Sequence, residues 1–180
     1  MNEQEHNSAA TSRNQVPAVY RRVKNAAAKR AASASEGWRD GTRNLDLGGG
    51  KFNLFTDTLA KEGVRNLILD PYNRSEEWNR KVIVELERHG ADTVTVSNVL
   101  NVVKEFEVRA YILRQALLYL NRDGRVYITV YEGDRNSDSR ETRDGWQEHR
   151  PLRSYLEEAR KVFGEQNVEC GAGVIVYHKV

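Results

Sequence analysis

Six consecutive residues, Asp46-Leu47-Gly48-Gly49-Gly50-Lys51, carry the strongest chemical signal in this chain of 180 residues. Glycines tolerate positive φ and leave no Cβ between backbone and ligand, so such a turn lets the next helix aim free N–H groups at a bound group. Asp70 stands 20 residues beyond Gly50, at the end of a short apolar run. A carboxylate there can accept hydrogen bonds from both hydroxyls of a ribose. Together the glycines and Asp70 describe a nucleotide pocket more specifically than either does alone; the structural alternative is a tight β-α turn beside an unrelated helix-capping aspartate.

Which nucleotide the turn suits follows from what it lacks. A phosphate-gripping loop needs Gly-Lys-Ser or Gly-Lys-Thr, whereas Lys51 precedes Phe52. A dinucleotide fingerprint needs glycine three residues after its second glycine, and counting from Gly48 and Gly50 that position holds Asn53. Asp46 inside the turn would repel phosphates and suits a cationic amino-acid moiety. A second group of residues could work on a substrate: Glu132 and Asp134 are the candidate general bases, since group transfer to a hydroxyl or amine profits from a base at the reacting atom. Trp146 could stack on a base or pack under its own loop, and His149 reads as a surface histidine. His6, His89 and His178 have no metal-ligand spacing.

Residues of these kinds need elements to position them. Residues 1–15 carry almost no large apolar side chains and are expected to be a disordered tail, leaving residues 16–180 as one domain. Val19, Tyr20, Val23 and Ala27 recur at helical spacing after Pro17, which predicts an N-terminal helix over 16–37. Asn44 to Leu47 reads as a strand, followed by the glycine turn and a helix carrying Phe52, Phe55 and Leu59 up to Gly63. Asn66 to Asp70 reads as a buried parallel strand stopped by Pro71. Asn73 or Ser75 can cap the next helix, in which Trp78, Val82 and Leu86 share a face. Asp92 to Val96 forms a third strand. Phe106, Ala110, Leu113, Leu117 and Leu120 form the stripe of the strongest helix, and Asp123-Gly124 turns into a fourth strand over 125–131. The polar stretch from Glu132 to Arg150 is too long for an ordinary α/β connection and is expected to be a functional loop. Pro151 opens a last helix, and Asn167 to Val180 reads as two strands around Gly171-Ala172-Gly173. This order predicts an α/β domain with a mostly parallel, Rossmann-like sheet and a C-terminal antiparallel hairpin able to add one edge strand, with its ligand at the carboxyl ends of the strands.

The composition bounds partners and location. With 39% hydrophobic and 30% charged residues and no long apolar run, the chain is not expected to cross a membrane. A polar start and the single Cys170 fit a reducing, cytoplasmic setting. The net charge is only +2, but no acidic residue lies between Glu5 and Glu36, an interval holding Arg21, Arg22, Lys24, Lys29 and Arg30. Such a run is either a solvated helix face or a contact for nucleic acid.

The segments "NLDLGGGKFN", "LILDPYNRS" and "DTVTVSNVLNVV" resemble the first motif, the ribose-binding strand end and the fourth-strand motif of class I S-adenosylmethionine-dependent methyltransferases. The likeness is strongest to small methyltransferase-like proteins of phage and bacterial defence regions, including one associated with DNA phosphorothioation. It covers residues 44 to 131 well. The resemblance implies S-adenosylmethionine as cofactor, Gly48, Gly49 and Gly50 against its methionine part with Asp46 serving its amino group, Asp70 on the ribose, and Asn98 with Val99 where the methyl group is presented. Two departures stand out. Only about 20 residues separate Asp70 from Asp92, which leaves no room for the family's further edge strand, so the adenine would fall to Tyr72 and the helix after it. Ser97-Asn98-Val99-Leu100 also differs from the Asn-Pro-Pro-aromatic motif of amino-group DNA methyltransferases. The functional expectation is methyl transfer to an unspecified acceptor, with nucleic acid favoured. Its alternative is a binding protein of phage or defence systems that kept the fold and lost turnover, and a nucleotide-binding oxidoreductase is the weakest of the three.

Overall fold

The computed structural model describes residues 15–29, 37–133, 139–142 and 145–180. Of the expected N-terminal tail, 1–14 lie outside the described residues, as do 30–36 of the expected first helix. That helix, α1, runs Ala18–Lys29. The alternating strand and helix order then follows as read: β1 Arg43–Leu47, α2 Leu54–Ala60, β2 Arg65–Leu69, α3 Glu76–His89 and β3 Ala91–Ser97. Ser75 is the cap of α3, its Oγ accepting from the Trp78 N–H at 3.2 Å. A 3-10 turn at Leu100–Val102 leads into α4, Phe106–Tyr119, and β4 spans Leu120–Thr129. Leu120, expected on the helix, is therefore the first residue of the strand, and the register against β3 shifts between Ala91 and Thr93 to absorb the turn at Asp123.

The stretch after β4 is not all loop: β5 Arg140–Thr142 and β6 Gly145–Gln147 form a small antiparallel pair. A 3-10 turn, Leu152–Tyr155, opens α5, Leu156–Phe163, and β7 Val168–Gly171 and β8 Val174–His178 close the described chain. The main sheet has the order β2-β1-β3-β4-β8-β7. Its first four strands are parallel, β8 pairs antiparallel with β4, and β7 takes the outer edge, so the terminal hairpin contributes two strands rather than one.

Alternation along β4 sorts the core into two layers. Val126 and Ile128 pack with α3, α4 and α5 residues such as Leu86, Leu113 and Leu156. Tyr127 packs with Val19 and Val23 of α1, Trp38, and Phe55 and Leu59 of α2. β2 is the other sheet edge, as the short spacing between Asp70 and Asp92 requires. Leu69 turns its carbonyl toward β1, where it accepts from Gly48 N–H at 2.9 Å, so Ile68 and Asp70 face outward. Side chains of α3 satisfy them: the Trp78 indole N–H donates to Ile68 O at 2.9 Å, and the Asn79 amide accepts from Asp70 N–H and donates to Asp70 O. Trp78, expected on the buried face, remains 42% exposed because its task is this edge.

Candidate nucleotide-binding site

The glycine turn joins β1 to α2 at the carboxyl edge of the sheet. Gly48 has φ +69°, and a Cβ on it would stand 2.7 Å from Val99 Cγ2. A Cβ on Gly49 would stand 2.3 Å from Asp46 Oδ2. Both positions are thus reserved for glycine by their neighbours, Gly48 also by its backbone. Asp46 is 3% exposed and tucked beneath the turn, where Thr95 Oγ1 donates to its Oδ1 at 2.8 Å. Burial, aided by the nearby charge of Asp70 and opposed by the Thr95 bond, pushes its pKa up to about 7. A buried ladder beside it links Asn44 to Trp38, Asn66, Thr93 and Thr95, polar core residues that the sequence reading passed over.

Asp70 is equally buried and binds the turn directly. Its Oδ2 accepts from Gly50 N–H at 2.8 Å and from Asn73 Nδ2 at 3.1 Å; its Oδ1 accepts from the N–H groups of Tyr72 and Asn73, each at 2.9 Å. Four donors match the roughly four lone-pair sites of a carboxylate. Arg74, also missed in the sequence, completes the clasp: Nε donates to Gly50 O at 2.8 Å and Nη2 to Asn53 Oδ1 at 2.7 Å, with the guanidinium 4.9 Å over the Trp78 ring.

In front of this clasp lies a cavity of about 530 Å³, walled by α3 and α4 and predominantly apolar. Five residues singled out from the sequence reach it: Gly48, Asp70, Tyr72, Asn98 and Val99. Asp46, Gly49 and Gly50 sit behind it rather than in its wall. Asn98 has φ +59°, a conformation asparagine accepts more readily than most residues, and its N–H donates to Thr129 O at 2.9 Å. The sequence did not reveal that Ile83 of α3 and Val108, Tyr111, Ile112 and Gln115 of α4 form the far wall. The available signal was an apolar excess: α4 buries Ala110, Leu113 and Ala116 on one side and still exposes Val108, Tyr111 and Leu118.

The candidate substrate-side residues are arranged differently. Glu132 Oε1 accepts from Leu152 N–H at 2.7 Å and so caps the 3-10 turn before α5. Asp134 lies outside the described residues. The His149 ring meets Tyr131 edge-on at 6.2 Å, and a Cβ on Gly133 would collide with it. The Trp146 ring lies under Lys104, at the entry to α4, and donates from Nε1 to Glu148 Oε2 at 3.1 Å. Behind them Glu158 receives Arg109 at 2.7 Å and Arg150 at 2.5 Å. Burial alone would raise the Glu158 pKa, but the two guanidinium groups hold it below the usual carboxylate range. None of Tyr131, Glu132 and His149 lines the cavity.

On the basic helix, Arg22 Nη1 donates to Gly173 O at 2.7 Å and Lys24 pairs with Glu62 at 2.6 Å, while Arg21 is exposed. Two of the cations expected to meet nucleic acid are therefore engaged in holding α1 to the fold; the Lys29 side chain and Arg30 lie outside the described residues.

No family model matches the sequence, and no curated protein matches it. Solved structures do resemble the fold. A 1,6-didemethyltoxoflavin-N1-methyltransferase from Burkholderia thailandensis, with bound 1,6-didemethyltoxoflavin and S-adenosylhomocysteine, aligns at TM-score 0.59 and 17% identity over 91% of this chain and 79% of its own. The amino pentose methyltransferase CalS10 from Micromonospora echinaspora, with bound SAM, aligns at 0.53 and 16% over 100% and 98%. A TehB-like SAM-dependent methyltransferase from Corynebacterium glutamicum aligns at 0.50 and 20% over 96% and 93%. The chain spans about half the length of several other neighbours. At these identities the likeness shows the fold: a Rossmann-like methyltransferase sheet with a C-terminal antiparallel hairpin.

Proposed function

We propose that this chain binds S-adenosylmethionine and transfers its methyl group to a small molecule. The observation that carries the reading is the union of the glycine turn with Asp70: Gly50 N–H donates to Asp70 at 2.8 Å, at the shared carboxyl end of β1 and β2 and behind an apolar cavity. The residues fit the group. The cavity of about 530 Å³ falls in the range of about 300–1,000 Å³ usual for small-molecule sites. Gly48 offers it bare backbone. When bound, the cofactor supplies a sulfonium with an electrophilic methyl carbon.

The chain's own residues bind and orient. Asp70 takes the ribose diol once Asn73 Nδ2 cedes its place on Oδ2, the longest of the four bonds. Asp46, neutral below about pH 7, supports the turn from beneath and acts on the ligand only through Gly48 to Gly50. Asn98 and Val99 border the mouth, where aligning donor and acceptor atoms can supply most of the rate for an already nucleophilic acceptor.

A small-molecule acceptor is supported by the engagement of Arg22 and Lys24 within the fold and by the acceptors named for the toxoflavin and amino pentose enzymes. Kinship with phage and defence-region proteins, and a cytoplasmic setting, belong to the same proposal and rest on sequence motifs and composition alone; among the described residues no helix is long and apolar enough to cross a membrane. Calorimetry with S-adenosylmethionine and S-adenosylhomocysteine tests the cofactor: both bind, and Asp70→Ala weakens binding severely. Absence of heat with either ligand rejects the reading. Methyl-labelled cofactor incubated with host metabolite, protein, RNA and DNA fractions then identifies the acceptor. Binding without label transfer to any fraction turns the assignment to a binding protein.

A further inference from the structure

Helix α4 is apolar on two opposite faces. One buries Ala110, Leu113 and Ala116. The other leaves Val108 46%, Tyr111 58% and Leu118 65% exposed, more large apolar side chains than any other helix exposes among the described residues. A ligand in the cavity does not account for this face, because Leu118, the most exposed of the three, is not part of the cavity wall. Apolar residues gathered on one exposed face, unlike scattered ones, mark a contact surface.

Their spacing says what the surface contacts. Val108, Tyr111, Gln115 and Leu118 follow steps of three, four and three, the a and d positions of a heptad, and such a seam takes another helix. Its one polar member, Gln115, restricts register at some cost in affinity. On one flank stand Ile112 and Tyr119, which border the cavity. On the other stand Glu107 and Arg114, seven residues apart and both exposed, with no ion pair to either among the described residues.

Two copies of this helix complement each other in one direction only. Run parallel, they would set Glu107 against Ile112 and Arg114 against Tyr119, charges against apolar side chains. Run antiparallel, with Val108 of each copy on Tyr111 of the other, they set Glu107 against Arg114 twice, and a two-fold axis makes the pairs equivalent. Opposite charges at these flanking positions select partner and orientation.

We infer that α4 is the contact surface for a second copy of this chain, packed antiparallel through Val108 and Tyr111 and fixed by reciprocal pairs of Glu107 with Arg114. Leu118 of each copy then lies over the residues that lead into the other α4. Val108, Tyr111 and Gln115 also border the cavity, so the second copy forms its outer lip. The overlap is short, which places the dimer among weak, concentration-dependent assemblies. The association is a property of the unliganded chain and does not depend on the function proposed above.

Sedimentation velocity on the ligand-free protein from about 1 to about 200 µM tests it. The wild-type mass should rise from the 20.6 kDa of one chain toward twice that value. Glu107→Arg and Arg114→Glu each bring like charges together twice and should weaken association at least about tenfold, while Glu107→Arg/Arg114→Glu should restore it to within about threefold of wild type. Tyr111→Ser, which alters no charge, should weaken it as well. All these positions are exposed, so the variants should keep the wild-type circular dichroism. A wild type that stays at the mass of one chain throughout overturns the inference and gives the exposed face to a different protein. A dimer indifferent to the single reversals also overturns it, since the interface then lies elsewhere. So does a double variant as weak as the singles, since the two residues then do not face each other.

Discussion

The two ends of the carboxyl edge are built on opposite plans. At the β1–β2 end, two buried carboxylates, Asp46 and Asp70, are held largely by backbone N–H groups, a threonine and an asparagine, and the cavity before them is apolar. Beyond β4, carboxylates are met by cations: Arg109 and Arg150 converge on Glu158, and Glu148 joins the small hairpin to the turn after β3 through its N–H to Asn101 O at 2.7 Å. The first end sets two buried carboxylates beside an apolar cavity. The second has satisfied most of its charge internally and acts as scaffold for the residues around it.

That contrast predicts its largest effect at the cation end. Arg109, with a side chain only 7% exposed, also donates to Val103 O and Lys104 O. Arg109→Leu strands the two backbone carbonyls and leaves the Glu158 carboxylate to Arg150 alone, and breaking a buried pair from one side costs about 3–5 kcal/mol. Chemical denaturation should register that loss, and Arg109→Leu/Glu158→Leu should recover part of it. Because Arg109 holds the carbonyl of Val103, which lines the cavity, the folded variant should also bind S-adenosylhomocysteine more weakly than wild type. Unchanged affinity in the folded variant would show that the two ends act independently.

Gly49→Ala should do the reverse. The added methyl meets the Asp46 carboxylate, which is fixed by Thr95 and cannot withdraw. Overpacking of this kind costs about 1–3 kcal/mol, less than the loss of Arg109, yet calorimetry should find cofactor binding abolished because the turn itself is displaced. Retained binding would mean that the turn does not touch the ligand.

The same contrast explains what the sequence disclosed. The glycine turn, Asp70 and the strand-helix order were legible because each depends on local pattern: φ, apolar runs and a fixed step from one strand to the next. The missing edge strand was legible from the short spacing between Asp70 and Asp92 set against the pattern of the family the motifs resemble. The replacement of that strand by Trp78 and Asn79 was not, because it depends on which backbone groups of β2 face outward. The Arg109–Glu158 pair joins residues 49 positions apart, and no periodicity marks it. Glu132 looked like a base because its position after a strand is right for one; its bond to Leu152 N–H, 20 residues on, belongs to tertiary structure. Gln115 was hidden within a helix whose apolar stripe drew attention to the opposite face.

The two ends should also answer pH with opposite signs. The Asp46 pKa is raised from 3.8 to about 7, so between those values the folded protein keeps a proton that the unfolded chain has released. Its contribution to stability is present at low pH and is lost as pH rises toward 7. Glu158 and Glu148 are both held below the usual range, against the upward push of burial, by their hydrogen bonds and nearby guanidinium groups. Their contribution is present above the ordinary glutamate pKa and is lost as pH falls through their folded values. Melting temperatures measured from pH 3 to 8 should show Asp46→Asn gaining on wild type as pH rises from about 4 to 7, and Glu158→Gln abolishing part of the acid-side loss. Parallel curves for Asp46→Asn and wild type would show that Asp46 titrates normally.

The smallest effect distinguishes a base from a cap at Glu132. A capping role needs only an oxygen that accepts from Leu152 N–H, which glutamine also has, so Glu132→Gln should lower stability by no more than about 1 kcal/mol. Under this reading the rate of methyl transfer changes by less than about twofold, within the effect of a small shift in position. A general base contributes typically about 10²–10⁴-fold, and glutamine cannot supply it. Loss on that scale in single-turnover transfer, with cofactor affinity intact, would make Glu132 the catalytic residue and require its bond to Leu152 to open when the acceptor arrives. Without such a loss, Glu132 belongs with Glu158 and Glu148, as part of the frame that the β4 end supplies and not of the chemistry.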